Sequence, residues 1–280
     1  MKKIPGIQHI IATSSGKGGV GKSTVSINLA LGLAQKGFKV GLADVDIYGP
    51  SIPVLMGLED QHPQIIDQTL VPLQKHDIKI MSMGFLVGQD TPAILRGPMI
   101  TKFIHQFVTG VKWGELDYLI LDLPPGTGDA QLSLSQNVPL TGALVVTTPQ
   151  AISVKVALRG LRMFEKVNVP ILGIVENMQG WATPEGPSPF HGGKKLSDTA
   201  GVPFLGSIPM DQTVAMSGDA GEPVMVGYPN SDAAQAFRQI TSEVINQVNH
   251  LAQPGGLGAF KWDLRSGEGA PGTREENTGA

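Results

Sequence analysis

The stretch Gly16-Lys17-Gly18-Gly19-Val20-Gly21-Lys22-Ser23-Thr24 restricts the folds open to this 280-residue chain more than any other feature. It has the spacing of a phosphate-binding loop: Gly16, four residues, Gly21, Lys22 and a hydroxyl residue, Ser23. Glycines in such a loop let backbone N–H groups converge on phosphate oxygens with no Cβ in the way. Lys22 is placed to neutralise β- and γ-phosphates, and the Ser23 hydroxyl to ligate Mg2+. Lys17 puts a second lysine inside the loop. The arrangement needs a strand before it and a helix after it, because the helix N-terminus must face the phosphates. His9-Ile10-Ile11-Ala12-Thr13 is a short, mostly apolar run of strand type. Residues 22–36 lack proline, carry Val25, Ile27, Leu29, Leu31 and Leu33, and are followed by Gly37, which predicts a helix buried on most sides.

The rest of the chain repeats this alternation. Apolar, β-branched runs recur at 7–13, 40–43, 78–81, 118–121, 143–147, 171–175 and 204–208, with helical patterns at 22–36, 99–108, 152–166 and 231–250. Near-continuous apolar strands suit a sheet covered on both faces. The expectation is an α/β fold, a doubly wound and mainly parallel sheet with helices on both faces, binding its ligand at the carboxyl ends of the strands. One domain is expected over residues 1–252. The Gly/Pro-rich stretch 253–280, Trp262 included, has the composition of a disordered tail.

Composition removes several classes of function. Lys plus Arg number 21 against 24 Asp plus Glu, a net charge of −3, which leaves no basic footprint for nucleic acid. The chain has no run of 18 apolar residues to span a membrane, and its first residues lack the pattern of a secretory leader, so a cytoplasmic protein is expected. It has no cysteine, which excludes disulfides and thiolate metal sites.

Three further motifs fit a nucleotide site. Asp44-Val45-Asp46 closes the second apolar run, and paired carboxylates there can orient water or hold a metal's water shell. Leu119-Ile120-Leu121-Asp122-Leu123-Pro124-Pro125-Gly126-Thr127-Gly128-Asp129 places a carboxylate, Asp122, at a strand end as the second Mg2+ group. Its stiff turn has Gly126 or Gly128 free to offer a backbone N–H to the γ-phosphate. Val175-Glu176-Asn177-Met178 and Ile208-Pro209-Met210-Asp211 end two later runs. Asn177 can pair with an adenine edge, with Pro209 and Asp211 as the other wall of a base pocket.

These motifs, with Asp-Ile-Tyr-Gly-Pro-Ser at 46–51 and Arg96-Gly97-Pro98-Met99, resemble the Mrp/ApbC family, within the larger group that includes MinD and ParA, over about residues 7–250. The resemblance implies a MinD-like P-loop fold and a slow Mg-ATP-hydrolysing homodimer that carries or assembles iron–sulfur clusters with an apoprotein or scaffold partner. It also implies roles: Lys17 as the signature lysine reaching nucleotide across a dimer, Lys22 as the phosphate lysine, Ser23 as the Mg2+ ligand, Asp46 as the water-orienting carboxylate and Asp122 as the second-motif carboxylate. Asp44 is expected beside the metal, and Gly16 to Thr24 around the phosphates. The chain departs from the family where Cys-Pro-x-Cys is usual: it has Thr183-Pro184-Glu185-Gly186, and His191 after it reads as a loop residue. Iron–sulfur cluster binding by the chain itself is therefore in doubt. A nucleotide-gated switch with little hydrolysis and no cluster role stands as the alternative. A membrane- or DNA-positioning role of the MinD/ParA kind is disfavoured, since the tail has no basic amphipathic helix.

Overall fold

The computed structural model describes residues 4–86, 107–126, 128–180, 182–183, 186–187 and 191–253. Its centre is an eight-stranded sheet. The strands are β1 (Ile7–Ser15), β2 (Val40–Asp44), β5 (Leu73–Lys75), β6 (Ile78–Ser82), β7 (Leu116–Asp122), β8 (Gly142–Thr147), β9 (Ile171–Gln179) and β12 (Phe204–Pro209). They lie in the order β12-β9-β8-β1-β7-β2-β6-β5. All neighbours pair in parallel except β5, which runs antiparallel to β6. Two small antiparallel pairs stand apart: β3 (Gln64–Ile66) with β4 (Thr69–Val71), and β10 (Ala182–Thr183) with β11 (Gly186–Pro187).

The helices follow from the crossovers. They are α1 (Lys22–Gln35), α2 (Ile52–Leu55), α3 (Asp129–Asn137), α4 (Ala151–Lys166), α5 (Gly192–Ala200), α6 (Gln212–Asp219), α7 (Val224–Gly227) and α8 (Asp232–Ala252). From β1 through α1 the chain moves to β2 on one side of the sheet; from β8 through α4 it moves to β9 on the other. Right-handed crossovers in opposite directions put α1 and α4 on opposite faces. The order reverses at β1, whose neighbours β7 and β8 lead to opposite halves, so the crevice of the fold opens at its carboxyl end.

The predicted strands and the helices α1, α4 and α8 appear within a few residues of their expected limits. Of the predicted helix at 99–108, residues 99–106 lie outside the described residues and 107–109 are helical. The motif at Arg96–Met99 also lies outside, as does the tail beyond 253. Helices α3, α5 and α6 go beyond the predicted ones; they are 8 or 9 residues long and rich in Ser, Gly, Asp or Gln, with too few apolar residues each to mark a helix in the sequence.

Helix α1 is buried along nearly its whole length, from Val25 to Leu33. It lies between the sheet and α8, whose first turn is capped by Ser231 Oγ accepting the Ala234 N–H at 3.2 Å. The two helices touch at Gly32. A Cβ there would overlap Thr241 Oγ1 and sit 3.1–3.2 Å from Thr241 Cβ and Cγ2. Alanine at a helix interior gains about 1 kcal/mol over glycine, whereas overpacking costs about 1–3 kcal/mol. Gly32→Ala is therefore expected to lower the urea midpoint of unfolding, and Thr241→Ala in the same chain to recover part of that loss. A stabilised Gly32→Ala variant would show that the helices are free to move apart.

Candidate functional site

Between β1 and α1 the chain turns over the carboxyl end of the sheet through Gly16, Lys17, Gly18, Gly19, Val20 and Gly21. Gly21, the residue before α1, sits at φ +81°, in the left-handed region. Its missing Cβ also makes room for Asn177, whose amide nitrogen donates to the Val20 carbonyl at 2.9 Å. The nearly buried Asn177 side chain, carried by β9, thus props the loop from below. Gly18 and Gly19 are exposed, with nothing within 4 Å of where a side chain would project.

The first turn of α1 closes around Asp122, at the end of β7. The Asp122 carboxylate is fully buried and forms an ion pair with Lys22, Nζ to Oδ2 being 2.8 Å. Ser23 Oγ donates to the same oxygen at 2.6 Å, and Ser26 Oγ donates to Oδ1 at 2.6 Å. Ser26 was missed by the sequence reading. The available signal is its place one turn beyond Lys22 and Ser23 on an otherwise apolar buried helix.

The adjacent strand β2 brings Asp44 into register with Asp122. Asp44 is fully buried; its Oδ1 accepts the Asp46 N–H at 3.1 Å, and its Oδ2 accepts the Ser82 hydroxyl at 2.8 Å and the Ile52 N–H at 3.3 Å. Burial, and then the negative charge of Asp122, push its carboxyl up to about 7, against the pull of Ser82, Lys22 and the Asp46 N–H. Asp46 is also raised, first by burial, with Lys22 opposing. Its Oδ1 accepts the N–H groups of Tyr48 and Gly49 at 3.2 and 3.3 Å.

A cavity of about 400 Å3 opens over this end of the sheet, lined by Lys17, Lys22, Ser23, Thr24, Asp46 and Pro125 among others. Its chemistry fits a magnesium nucleotide. A serine hydroxyl and a nearby carboxylate are hard oxygen donors of the kind Mg2+ takes, the lysine offers positive charge to phosphates, and the open glycine loop leaves space for them. Lys17, half-buried at the rim, reaches Gln150 Oε1 at 3.5 Å, just ahead of α4.

Other expected groups are placed less simply. The Gly126 N–H donates to the Ser15 carbonyl at 2.9 Å, so in this conformation that donor is spent on β1. Thr127 lies outside the described residues, and Gly128 precedes α3. Asp211 caps α6, accepting the Thr213 N–H at 2.8 Å. Pro209 ends β12 opposite Gln179 of β9, so the two strands that carry Asn177 and Pro209 are neighbours. None of Asn177, Pro209 and Asp211 lines that cavity.

On the other side of β9, the buried carboxylate of Glu176 accepts the Gly193 N–H at the start of α5 and the Ser207 hydroxyl at 3.3 Å. His191 Nδ1 lies 3.6 Å from Glu176 Oε1. His191, expected as a loop residue, sits just ahead of α5. Thr183 and Gly186 pair across β10 and β11; Trp181, Pro184 and Glu185 lie outside the described residues.

Residues 6–245 match the protein family described as ParA, NUBPL iron-transfer P-loop NTPase. The chain is 48% identical over 254 residues to an iron–sulfur cluster carrier protein of Aquifex aeolicus, covering 88% of this chain and 70% of that protein. It is 45% identical over 255 residues to the iron–sulfur cluster transfer protein NUBPL of Mus musculus, covering 88% and 80%. Among solved structures, a nucleotide-binding protein of Archaeoglobus fulgidus in complex with ADP superposes with a TM-score of 0.70 at 38% identity, covering 84% of this chain and 94% of that one. The cell-division ATPase MinD of Pyrococcus furiosus shares the fold, with a TM-score of 0.66 at 22% identity over 85% and 98%.

The double grip on Asp122 yields a prediction. Ser26→Ala removes the only hydroxyl on Oδ1 among the described residues and leaves a buried carboxylate oxygen short of a donor, at a cost of about 1–3 kcal/mol. The variant is expected to unfold at lower urea and to need more Mg2+ for half-maximal ADP binding. Unchanged values for both would show that Ser26 is idle.

Proposed function

The chain belongs to the NUBPL iron-transfer P-loop NTPase family of the ParA group, and on that premise we propose that it is a slow Mg-ATP-hydrolysing homodimer serving iron–sulfur cluster carriage or assembly. The observation that carries this reading is the convergence of Lys22, Ser23 and Asp122 beneath an open glycine loop and a cavity of about 400 Å3. The domain that acts is residues 1–252. Its partners are a second copy of itself and an iron–sulfur apoprotein or scaffold, with neither nucleic acid nor membrane among them. Among the described residues no helix is long and apolar enough to cross a membrane.

In this reading Lys22 exchanges Asp122 for the β- and γ-phosphates, the one group supplying the charge that the other loses. Ser23 and Asp122 would hold Mg2+, which would supply charge neutralisation to the phosphates. Asp46, lining the cavity, orients the attacking water. Lys17 stabilises phosphate charge in the partner subunit's site. Asn177, with Pro209 and Asp211, bounds the adenine side. The turn after Asp122 rearranges when Gly126 lets go of Ser15, and relaxes after hydrolysis.

The chain has no cysteine, so a cluster would have to be held through ligands of the partner protein, since hydroxyl and backbone groups are poor substitutes for thiolates. The same fact supports a second reading, an ATP-dependent switch or scaffold with little hydrolysis and no cluster role.

Phosphate release and light scattering separate the two. With Mg-ATP the wild type is expected to dimerise and release phosphate. Asp46→Ala should bind ATP but turn over about 100-fold more slowly, and Lys17→Ala should lose both ATP-dependent dimerisation and turnover. The same weak release from all three would favour the switch. Anaerobic incubation of the protein alone with iron and sulfide is expected to give no stable visible absorption. A stable cluster spectrum would overturn the assignment of cluster ligands to the partner.

A further inference from the structure

We propose that Asp44 is a positioning residue that sets the Asp46 loop in place and is not itself a ligand of the metal. This inference rests on the reading of Asp46 as the group that orients water.

The sequence alone puts both carboxylates beside the metal. The structure separates them. Asp46 lines the cavity, and Asp44, two residues earlier and fully buried, does not. The three donors on Asp44 come from three different places: the N–H of Asp46, the N–H of Ile52 and the hydroxyl of Ser82. The first two are the ends of the segment 46–52, whose Asp46, Tyr48, Gly49 and Ser51 form one wall of the cavity. One buried carboxylate therefore closes that segment into a loop of fixed span. Asp46 then repeats the device on a smaller scale, its own Oδ1 gathering the N–H groups of Tyr48 and Gly49.

Ser82 extends the arrangement sideways. It stands opposite Asp44 in the β2–β6 register, donates to Asp44 and accepts the Gly84 N–H at 3.0 Å. It thus ties the end of β6 and its following turn to the same carboxylate. A carboxylate offers about four lone-pair positions, and three are already filled by protein donors whose places are fixed by strand pairing or loop closure. Two of the three are backbone N–H groups that cannot turn away to admit a metal, whereas the donors on Asp122, at the end of β7, are all side chains of α1, of which Lys22 and Ser23 also line the cavity. The consequence for catalysis is geometric: misplacing a water-orienting carboxylate by about 1 Å can cost about 100-fold in rate.

The experiment compares the wild type with Asp44→Asn, Ser82→Ala and Asp122→Asn in the full chain. It reads ATP turnover, the Mg2+ concentration for half-maximal ADP binding, and hydrogen exchange of the Asp46 and Ile52 amides without nucleotide. Positioning predicts that Asp44→Asn speeds exchange at both amides and lowers kcat about 10- to 100-fold, with the Mg2+ requirement unchanged. Ser82→Ala should follow in the same direction with a smaller effect. Asp122→Asn should instead raise the Mg2+ requirement about tenfold or more. The proposal is overturned if Asp44→Asn raises the Mg2+ requirement as Asp122→Asn does, or if exchange at Asp46 and Ile52 is unaltered. Should the wild type release no phosphate, the hydrolysis reading fails on its own. The exchange and Mg2+ measurements then still decide the role of Asp44 in holding the loop.

Discussion

Everything at the carboxyl end of this sheet is arranged around the buried ion pair between Lys22 and Asp122. Removing two charges from water is expensive, and a buried pair seldom stabilises a fold better than apolar residues of the same size would. Breaking it is worse, since removing one partner alone costs about 3–5 kcal/mol. Here the surroundings reduce the penalty: two serine hydroxyls share the carboxylate, and Lys22 lies at the first turn of a helix whose N-terminal N–H groups face the same space. Under the proposed function such a pair is poised: the lysine has a partner before the phosphates come and exchanges it when they do.

The strand order makes that arrangement possible. Placing β7 between β1 and β2 sets Thr13, Asp122 and Asp44 abreast, so the loop after β1, the carboxylate of β7 and the acidic loop after β2 meet without any long connection. On the other side of β1, β8 and β9 bring Asn177 under the loop. Consecutive residues of a strand face opposite sides, and β9 uses this: Asn177 supports Val20 on one side while Glu176 anchors the start of α5 on the other. The glycine loop and α5 are thus fastened to adjacent residues of one strand.

Much of this was legible in the amino-acid order. Gly16 to Thr24 and the apolar run ending in Asp122 announce their places because their chemistry demands a particular spacing and a particular strand end. Asp46 was expected to orient water and Asp44 to sit beside the metal, because a two-residue spacing gives no measure of depth. Only the pairing of β2 with β6 and β7 shows that one is enclosed by Ser82 and the Ile52 N–H while the other meets the cavity. Asn177 was legible as a strand-end amide, but its contact with Val20 depends on a neighbour 157 residues away in sequence, which no local pattern encodes. Ser26 was hidden for a related reason: a small residue in an apolar helix resembles packing until its hydroxyl is seen to donate to Asp122. Gly126, free by composition, is committed to Ser15 by a bond that only the juxtaposition of β1 and β7 creates.

The Lys22–Asp122 pair is central to the proposed nucleotide site. Calorimetric titration of Mg-ADP into the wild type and into Lys22→Met/Asp122→Asn, which removes both charges and nearly keeps their volume, tests this most directly. One saturable site per chain is expected in the wild type and no measurable binding in the doubly substituted protein, with both chains folded by circular dichroism. Equal affinity in the two would contradict it, because the phosphates would then be held by something other than the pair on which the site is built.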